Sequence, residues 1–511
     1  MSDLLSDYLQ KIFTAPVYDV AVETPLEQMP RLSSRIGHKV LCKREDLQPV
    51  FSFKCRGAYN KMFHLTPAEA KRGVICSSAG NHAQGVALAA NKLQTKAIIV
   101  MPTTTPAIKV EAVRRLGGDW VEIVLFGDCY DDASDHAHRL LMERGLTYIH
   151  PFDDPYTIAG QGTIGLEILR HHPHKIDAIF VPVGGGGLLA GIAVLVKSLR
   201  PDIKIIGVES QDAASMTNAI ASGERQTLAQ VGLFADGTAV KQPGEITFDL
   251  IQRYSDEHIT VSTDEICAAM KDIFEDNRIL AEPSGALSLA GLKKWAAAQK
   301  AKDLSLVHIV SGANVNFDRL RYVAERTEIG EKREGLLAVT IPERPGAYRE
   351  FCTLIGAKNY ITEFNDRYQD AKQAEIFVGV RLDEGEKQLQ DLISLLQKNS
   401  YSAENLTDNE LAKEHLRYMV GGIAAVENEY LFGFGFPERP GSLMHFLNTL
   451  GTDFNISLFH YRNHGSDYGR ILCGIQASDY DSLIRHLEKI GYAYHEETNN
   501  PVYKRFLAPH H

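Results

Sequence analysis

Lys54 stands in an apolar, aromatic setting, FSFKCRGAY over residues 51–59. A lysine is ordinarily a solvated charge, but burial favours its neutral form, and the neutral amine is both a nucleophile and a base. Deprotonating an ordinary lysine at pH 7 costs about 4.6 kcal/mol, from ~3.4 pKa units, and condensation with an aldehyde avoids that cost. Gly184, Gly185, Gly186 and Gly187 follow the apolar run Ala178–Val183 and precede the helical pattern Leu188–Leu199. Without side chains, backbone N–H groups can crowd around an anion, and the positive end of the helix dipole points at the same place. The run is neither GxGxxG with a spaced acid nor GxxxxGK[ST], which weakens dinucleotide and P-loop readings; a flexible turn is the alternative. Residues 77–82, SSAGNH, form a second small polar loop. Its N–H groups suit a carboxylate and the Asn81 amide can donate to a phenolic oxygen, although helix capping by Ser78 or Asn81 explains the same residues. His82 reads as a structural helix residue. At 311–314, SGAN puts Ser311 at the end of the run Leu306–Val310, where a simple turn residue would also serve.

These loops need a frame. From about 73 to 310, β-branched runs (Val74–Cys76, Ala97–Met101, Trp120–Leu125, Ala178–Val183, Ile203–Val208, Leu306–Val310) alternate with helical stretches at 82–93, 107–116, 129–144 and 212–221. That spacing predicts parallel sheets flanked by helices, an α/β fold with ligands at the carboxyl ends of the strands. Residues 178–196 carry no charge over nineteen positions, the length of a membrane span. Pro182 and the four glycines favour strand, loop and helix instead. The polar stretch 326–334 reads as a linker. Beyond it IPERPG at 341–346 recurs as FPERPG at 436–441, and at the same shift Phe351 meets Phe446, Gly356 Gly451, Ile361 Ile456, Phe364 Phe459, Arg367 Arg462, Ile376 Ile471 and Gly379 Gly474. Each copy reads as a βαββαβ unit with an antiparallel sheet and helices near 346–356 and 385–398, then 441–451 and 479–490.

Composition narrows the partners. The chain has 511 residues, 44% apolar and 23% charged, with a net charge of −11. That balance disfavours nucleic acid and anionic membrane as partners. Seven scattered cysteines without a CxxC pair, and an acidic N-terminus unlike a signal or transit segment, point to a reducing, cytoplasmic setting.

Taken together, SFKCRGA, SSAGNHAQG, VPVGGGGLLAG, AEPSGA and SGANVNF resemble the serine/threonine dehydratase family of pyridoxal-phosphate enzymes. These have the tryptophan-synthase-like fold, type II. The duplicated C-terminal region narrows the resemblance to biosynthetic threonine ammonia-lyases, with a catalytic domain over 1–328 and ACT-like subdomains over 335–408 and 430–501. The resemblance implies pyridoxal 5'-phosphate on Lys54, Asn81 at the pyridoxal 3'-oxygen, and Gly184, Gly185, Gly186, Gly187 and Leu188 at the phosphate. It further implies Ser311 at the pyridine nitrogen, and Ser78, Ala79, Gly80 and Asn81 at the substrate carboxylate. Lys54 would act as base on the α-proton of L-threonine. Isoleucine is the implied inhibitor, valine a candidate activator, and a homotetramer the implied assembly. Relatives such as serine racemase ligate a cation with a Glu and an Asp six residues later; here Glu209 is followed by Ser215, so no metal is expected. The alternatives are a serine-preferring dehydratase or racemase on the same scaffold, and an amino-acid-binding regulator with an inactive catalytic half.

Overall fold

The computed structural model describes residues 3–317, 319–342, 347–355, 361–368, 373–418, 426–437, 442–450, 454–462 and 468–508. The chain divides into two compact units, Met1–Phe317 and Asp318–His511.

The first unit is built on two sheets. One has six strands in the order Leu26–Gln28, Lys39–Arg44, Ser305–Val310, Ala178–Pro182, Lys204–Ser210, Glu257–Val261, and only its first pair is antiparallel. The other is parallel throughout, in the order Val121–Leu125, Ala97–Met101, Val74–Ser77, Thr147–Tyr148. Ala97–Met101, Ala178–Pro182 and Ser305–Val310 are buried at every position, as strands covered on both faces must be. The uncharged stretch is strand Ala178–Pro182, a loop, and helix Gly187–Leu199, whose residues from Gly187 to Val196 are all buried. No helix among the described residues is long and apolar enough to cross a membrane.

One strand of the large sheet hides its burial behind charge. Lys39–Arg44 ends in charge, yet Lys43 is fully buried because its Nζ pairs with Glu167 at 2.5 Å. The helix expected over 212–221 starts later, at Ser215, after a 3-10 turn Gln211–Ala213.

In the second unit the polar stretch 326–334 is not a linker. Helix Arg319–Gly330 runs through it, and strand Glu334–Pro342 follows at once. Polarity misleads there because Arg326 is buried and clasps Glu410 with two hydrogen bonds of 2.8 and 2.9 Å. The expected domain end at 328 therefore lies inside a helix of this unit. Two antiparallel four-stranded sheets follow, Ile361–Tyr368, Gln373–Arg381, Glu334–Pro342, Ser402–Asn405 and Asn455–Arg462, Tyr468–Gln476, Glu429–Pro437, Ala493–Glu496. With helices Ala347–Ile355 and Glu386–Lys398, then Ser442–Leu450 and Tyr480–Ile490, each is a βαββαβ unit. The repeat is written in the cores: Phe351 and Phe446 are both buried against their own sheet, as are Ile376 and Ile471. Positions 343–346 and 438–441 of the PERPG segments, Gly356 and Gly451, and the side chains of Phe364, Arg367 and Arg462 lie outside the described residues.

Candidate active site

Lys54 is the first residue of helix Lys54–Phe63. The strand end behind it is pinned in place: Phe53 N donates to Ser311 O at 3.1 Å and Ser52 pairs with Gly312. The Lys54 side chain is part-buried, and its Nζ donates to the Pro151 carbonyl at 3.0 Å. Burial pulls its pKa down to about 8, against the opposing pull of the Glu282 carboxylate. Exposing the neutral amine at pH 7 then costs about 1.4 kcal/mol, one pKa unit, instead of about 4.6. Two imidazoles face the same nitrogen. His82 is lowered to about 3 and His150 to about 4, in both chiefly by burial, so both stay neutral. His82 Nε2 meets the Ile149 carbonyl at 2.8 Å.

The loop Ser78–Asn81 leaves strand Val74–Ser77 at its carboxyl end and opens helix Asn81–Leu93. Gly80 N donates to Ser78 Oγ at 3.2 Å, which holds the turn around Ala79. A Cβ added at Gly80 would meet nothing within 4 Å, so the loop borders open space. The Asn81 amide is held at both ends. Its Oδ1 accepts from Asn314 Nδ2 at 2.6 Å, and its Nδ2 donates to Glu282 Oε1 at 2.6 Å.

The four glycines form a cradle in which a Cβ at any position would be crowded. Added at Gly184 it would lie 3.0 Å from Thr238 Cα, at Gly185 2.3 Å from the Phe152 ring, and at Gly187 3.0 Å from Phe152 Cα. Gly186 has φ +98°, and its Cβ would lie 2.7 Å from Ile251 and Met216. The Leu188 side chain joins the core, which leaves its N–H as its only contribution to the loop. Ser311 Oγ donates to Ser284 O at 3.4 Å, and Ser284 Oγ lies 3.3 Å from Thr238 Oγ1, beside the cradle. Lysine, asparagine loop, glycine cradle and serine are thus joined by a run of contacts through Phe152, Thr238, Ser284 and Glu282. Sequence reasoning gave none of these four linkers a role, although Glu282 and Ser284 lie within the AEPSGA motif.

Glu209 is engaged by hydrogen bonds from the chain. Its carboxylate accepts from Met216 N at 2.9 Å and from Thr217 N and Oγ1 at 2.6 and 2.5 Å, at the start of helix Ser215–Ser222. No group of three or more His, Cys, Asp or Glu able to hold a metal occurs among the described residues.

An amine with a pKa near 8 fits an aldehyde, and four side-chain-free residues at a helix start fit a phosphate ester. The donor set suits pyridoxal phosphate. Residues 17–312 match the family model of the pyridoxal-phosphate dependent enzymes, which places the chain in that class and makes pyridoxal phosphate its cofactor. Residues 325–416 and 420–507 match the C-terminal regulatory domain of threonine dehydratase. The chain is 54% identical to the biosynthetic L-threonine dehydratase of Burkholderia multivorans, over 98% of this chain and 99% of that one. It is 53% identical to that of Escherichia coli, over 98% and 97%. Among solved structures it resembles the processed form of tomato (Solanum lycopersicum) threonine deaminase isoform 2, at 51% identity and a TM-score of 0.62 over 64% of this chain and 94% of that one. Maize serine racemase follows at 33% identity and TM-score 0.58, over 62% and 96%. The chain belongs to the biosynthetic threonine dehydratases, carbon–nitrogen lyases built on the fold type II scaffold.

Proposed function

We propose that this chain deaminates L-threonine to 2-oxobutanoate and ammonia, with Lys54 carrying the cofactor and moving the substrate's α-proton. Asn81 and Ser311 hold the ring, at its 3'-oxygen and its nitrogen. Gly184, Gly185, Gly186, Gly187 and Leu188 bind the phosphate through N–H groups, and Ser78, Ala79, Gly80 and Asn81 take the substrate carboxylate. Bound pyridoxal phosphate supplies a conjugated system that stabilises negative charge at the substrate's Cα. The residues of the chain orient the α-hydrogen toward Lys54 Nζ and exclude water from it. In the net reaction the Cα–H, Cβ–O and C–N bonds break. One water leaves and one is taken up, so threonine gives one 2-oxobutanoate and one ammonia without an external oxidant.

The observation that carries this reading is the Lys54 amine, bonded to the Pro151 carbonyl next to Phe152, the residue against which the glycine cradle is closed. Lys54→Ala should abolish both the visible absorbance of bound cofactor and 2-oxobutanoate release. Full activity in that variant refutes the assignment. We also assign isoleucine, as inhibitor, and valine, as its opponent, to the two C-terminal modules, in a cytoplasmic homotetramer. A coupling of about 1–3 kcal/mol suffices for such control. The assay is 2-oxobutanoate release from threonine with and without isoleucine, and an unchanged rate across all isoleucine concentrations refutes the regulatory reading.

A further inference from the structure

Glu282 occupies the N-cap position of helix Pro283–Ala298, where a carboxylate ordinarily accepts from the first-turn N–H groups, yet its side chain makes no capping bond. Instead it is buried and accepts from Asn81 Nδ2 at 2.6 Å, a residue 201 positions away in sequence. Room for it is made by Gly312: a Cβ there would lie 2.3 Å from Glu282 Oε1. The backbone secures the same geometry, with Glu282 N donating to Gly312 O at 3.2 Å. A buried carboxylate is costly, and forgoing the cap makes this one costlier. The hydrogen bond of this carboxylate to Asn81, rather than to the start of its own helix, ties it to the site.

We propose that Glu282 is a positioning residue of the active site: it locks the Asn81 amide in one orientation, and its negative charge favours the protonated form of the Lys54 nitrogen. An asparagine amide is nearly symmetric in shape, and its partners alone decide which end points where. Asn314 Nδ2, itself anchored on Val50 O at 2.8 Å, holds the oxygen end; Glu282, an acceptor only, holds the nitrogen end. One amide hydrogen is thereby committed to Glu282 and the second remains for the 3'-oxygen of the ring. The same carboxylate favours a proton on the Lys54 nitrogen, opposing the burial that disfavours it. The other titratable groups facing Lys54 are His82 and His150, the latter with Asp153 and Asp154 behind it. Both imidazoles stay neutral above pH 6, so they do not obscure the effect.

This inference rests on the cofactor assignment to Lys54, and the experiment separates the two. The visible band of the full-length holoenzyme is titrated against pH for the wild type and for Glu282→Gln, Glu282→Asp and Lys54→Ala. Removing the negative charge destabilises the cation, so the midpoint of Glu282→Gln should fall by at least one pH unit, a tenfold change in the protonation equilibrium. Glu282→Asp, with its charge kept but drawn back by one methylene, should fall between the wild type and Glu282→Gln. A purely structural role would lower the melting temperature and leave the midpoints in place. If all three Glu282 forms titrate together while Lys54→Ala loses the band, the Glu282 proposal is overturned and the cofactor assignment stands. If Lys54→Ala keeps a band that titrates like the wild type's, the cofactor assignment itself fails.

Discussion

Arg56 lies two residues into the helix that begins with Lys54, and its guanidinium is wholly buried. It donates from Nε to Glu45 at 2.8 Å and from Nη1 to Glu167 at 2.6 Å, while Lys43 Nζ takes the other Glu167 oxygen at 2.5 Å. All four charged side chains are fully buried and their charges cancel. Arg56→Met keeps much of the side-chain volume and leaves a net negative charge inside. Breaking a buried pair from one side costs about 3–5 kcal/mol. The only two tryptophans, Trp120 and Trp295, belong to the first unit, so tryptophan emission during urea unfolding reports that unit alone. With a slope of about 3 kcal/mol per molar urea, the midpoint should fall by roughly 1–1.7 M. Adding Glu167→Gln restores charge balance with Lys43 and Glu45, and should recover part of the loss. A midpoint within about 0.3 M of the wild type in Arg56→Met, or a double variant that is strictly additive, refutes the claim that the cluster is a coupled anchor for the Lys54 helix.

Gly186→Ala should weaken cofactor binding at least tenfold in equilibrium dialysis, because φ +98° and side chains 2.7 Å away both oppose a Cβ; unchanged affinity removes the cradle from the phosphate site. In cofactor-free protein, labelling of Lys54 by an amine reagent should be half-maximal near pH 8, slow below it and fast above it, and a midpoint above 10 contradicts the buried amine. Glu167 feels burial that raises its pKa, but Arg56 and Lys43 outweigh it and hold it low, so its stabilisation is present above the unfolded carboxyl range and lost as pH falls through it. The tryptophan-monitored urea midpoint should therefore drop below about pH 4, more steeply in the wild type than in Glu167→Gln. A chain ending at Phe317 should stay more soluble than one ending at Glu328, because the latter keeps most of helix Arg319–Gly330 with Tyr322, Val323 and Arg326 stripped of the unit that buries them. Equal recovery in the soluble fraction contradicts that boundary.

Much of the frame was legible because burial leaves a period in the sequence. Runs such as Ala97–Met101 and Ala178–Val183 can only be strands covered on both faces, and the 95-residue recurrence of Phe351 and Ile376 marked two modules with equivalent cores. What escaped were elements whose charges are paired at long range. Lys39–Arg44 and helix Arg319–Gly330 look like surface or linker until Glu167 and Glu410 are set beside them.

The site divides along the same line. Lys54, the glycines and Asn81 stood out only together, since each alone has an ordinary reading: a solvated amine, a flexible turn, a helix cap. Glu282 did not stand out, since a Glu before Pro-Ser-Gly reads as an ordinary helix cap, and only the fold shows that it forgoes the cap. Its meaning lies in Gly312, Asn81 and Lys54, contributed by three distant segments, and no window of sequence contains that arrangement. Residues that touch the reacting atoms are constrained by chemistry and so, taken together, carry a signature in the sequence. Residues that orient them are constrained by geometry alone, and geometry of this kind exists only once the chain has folded.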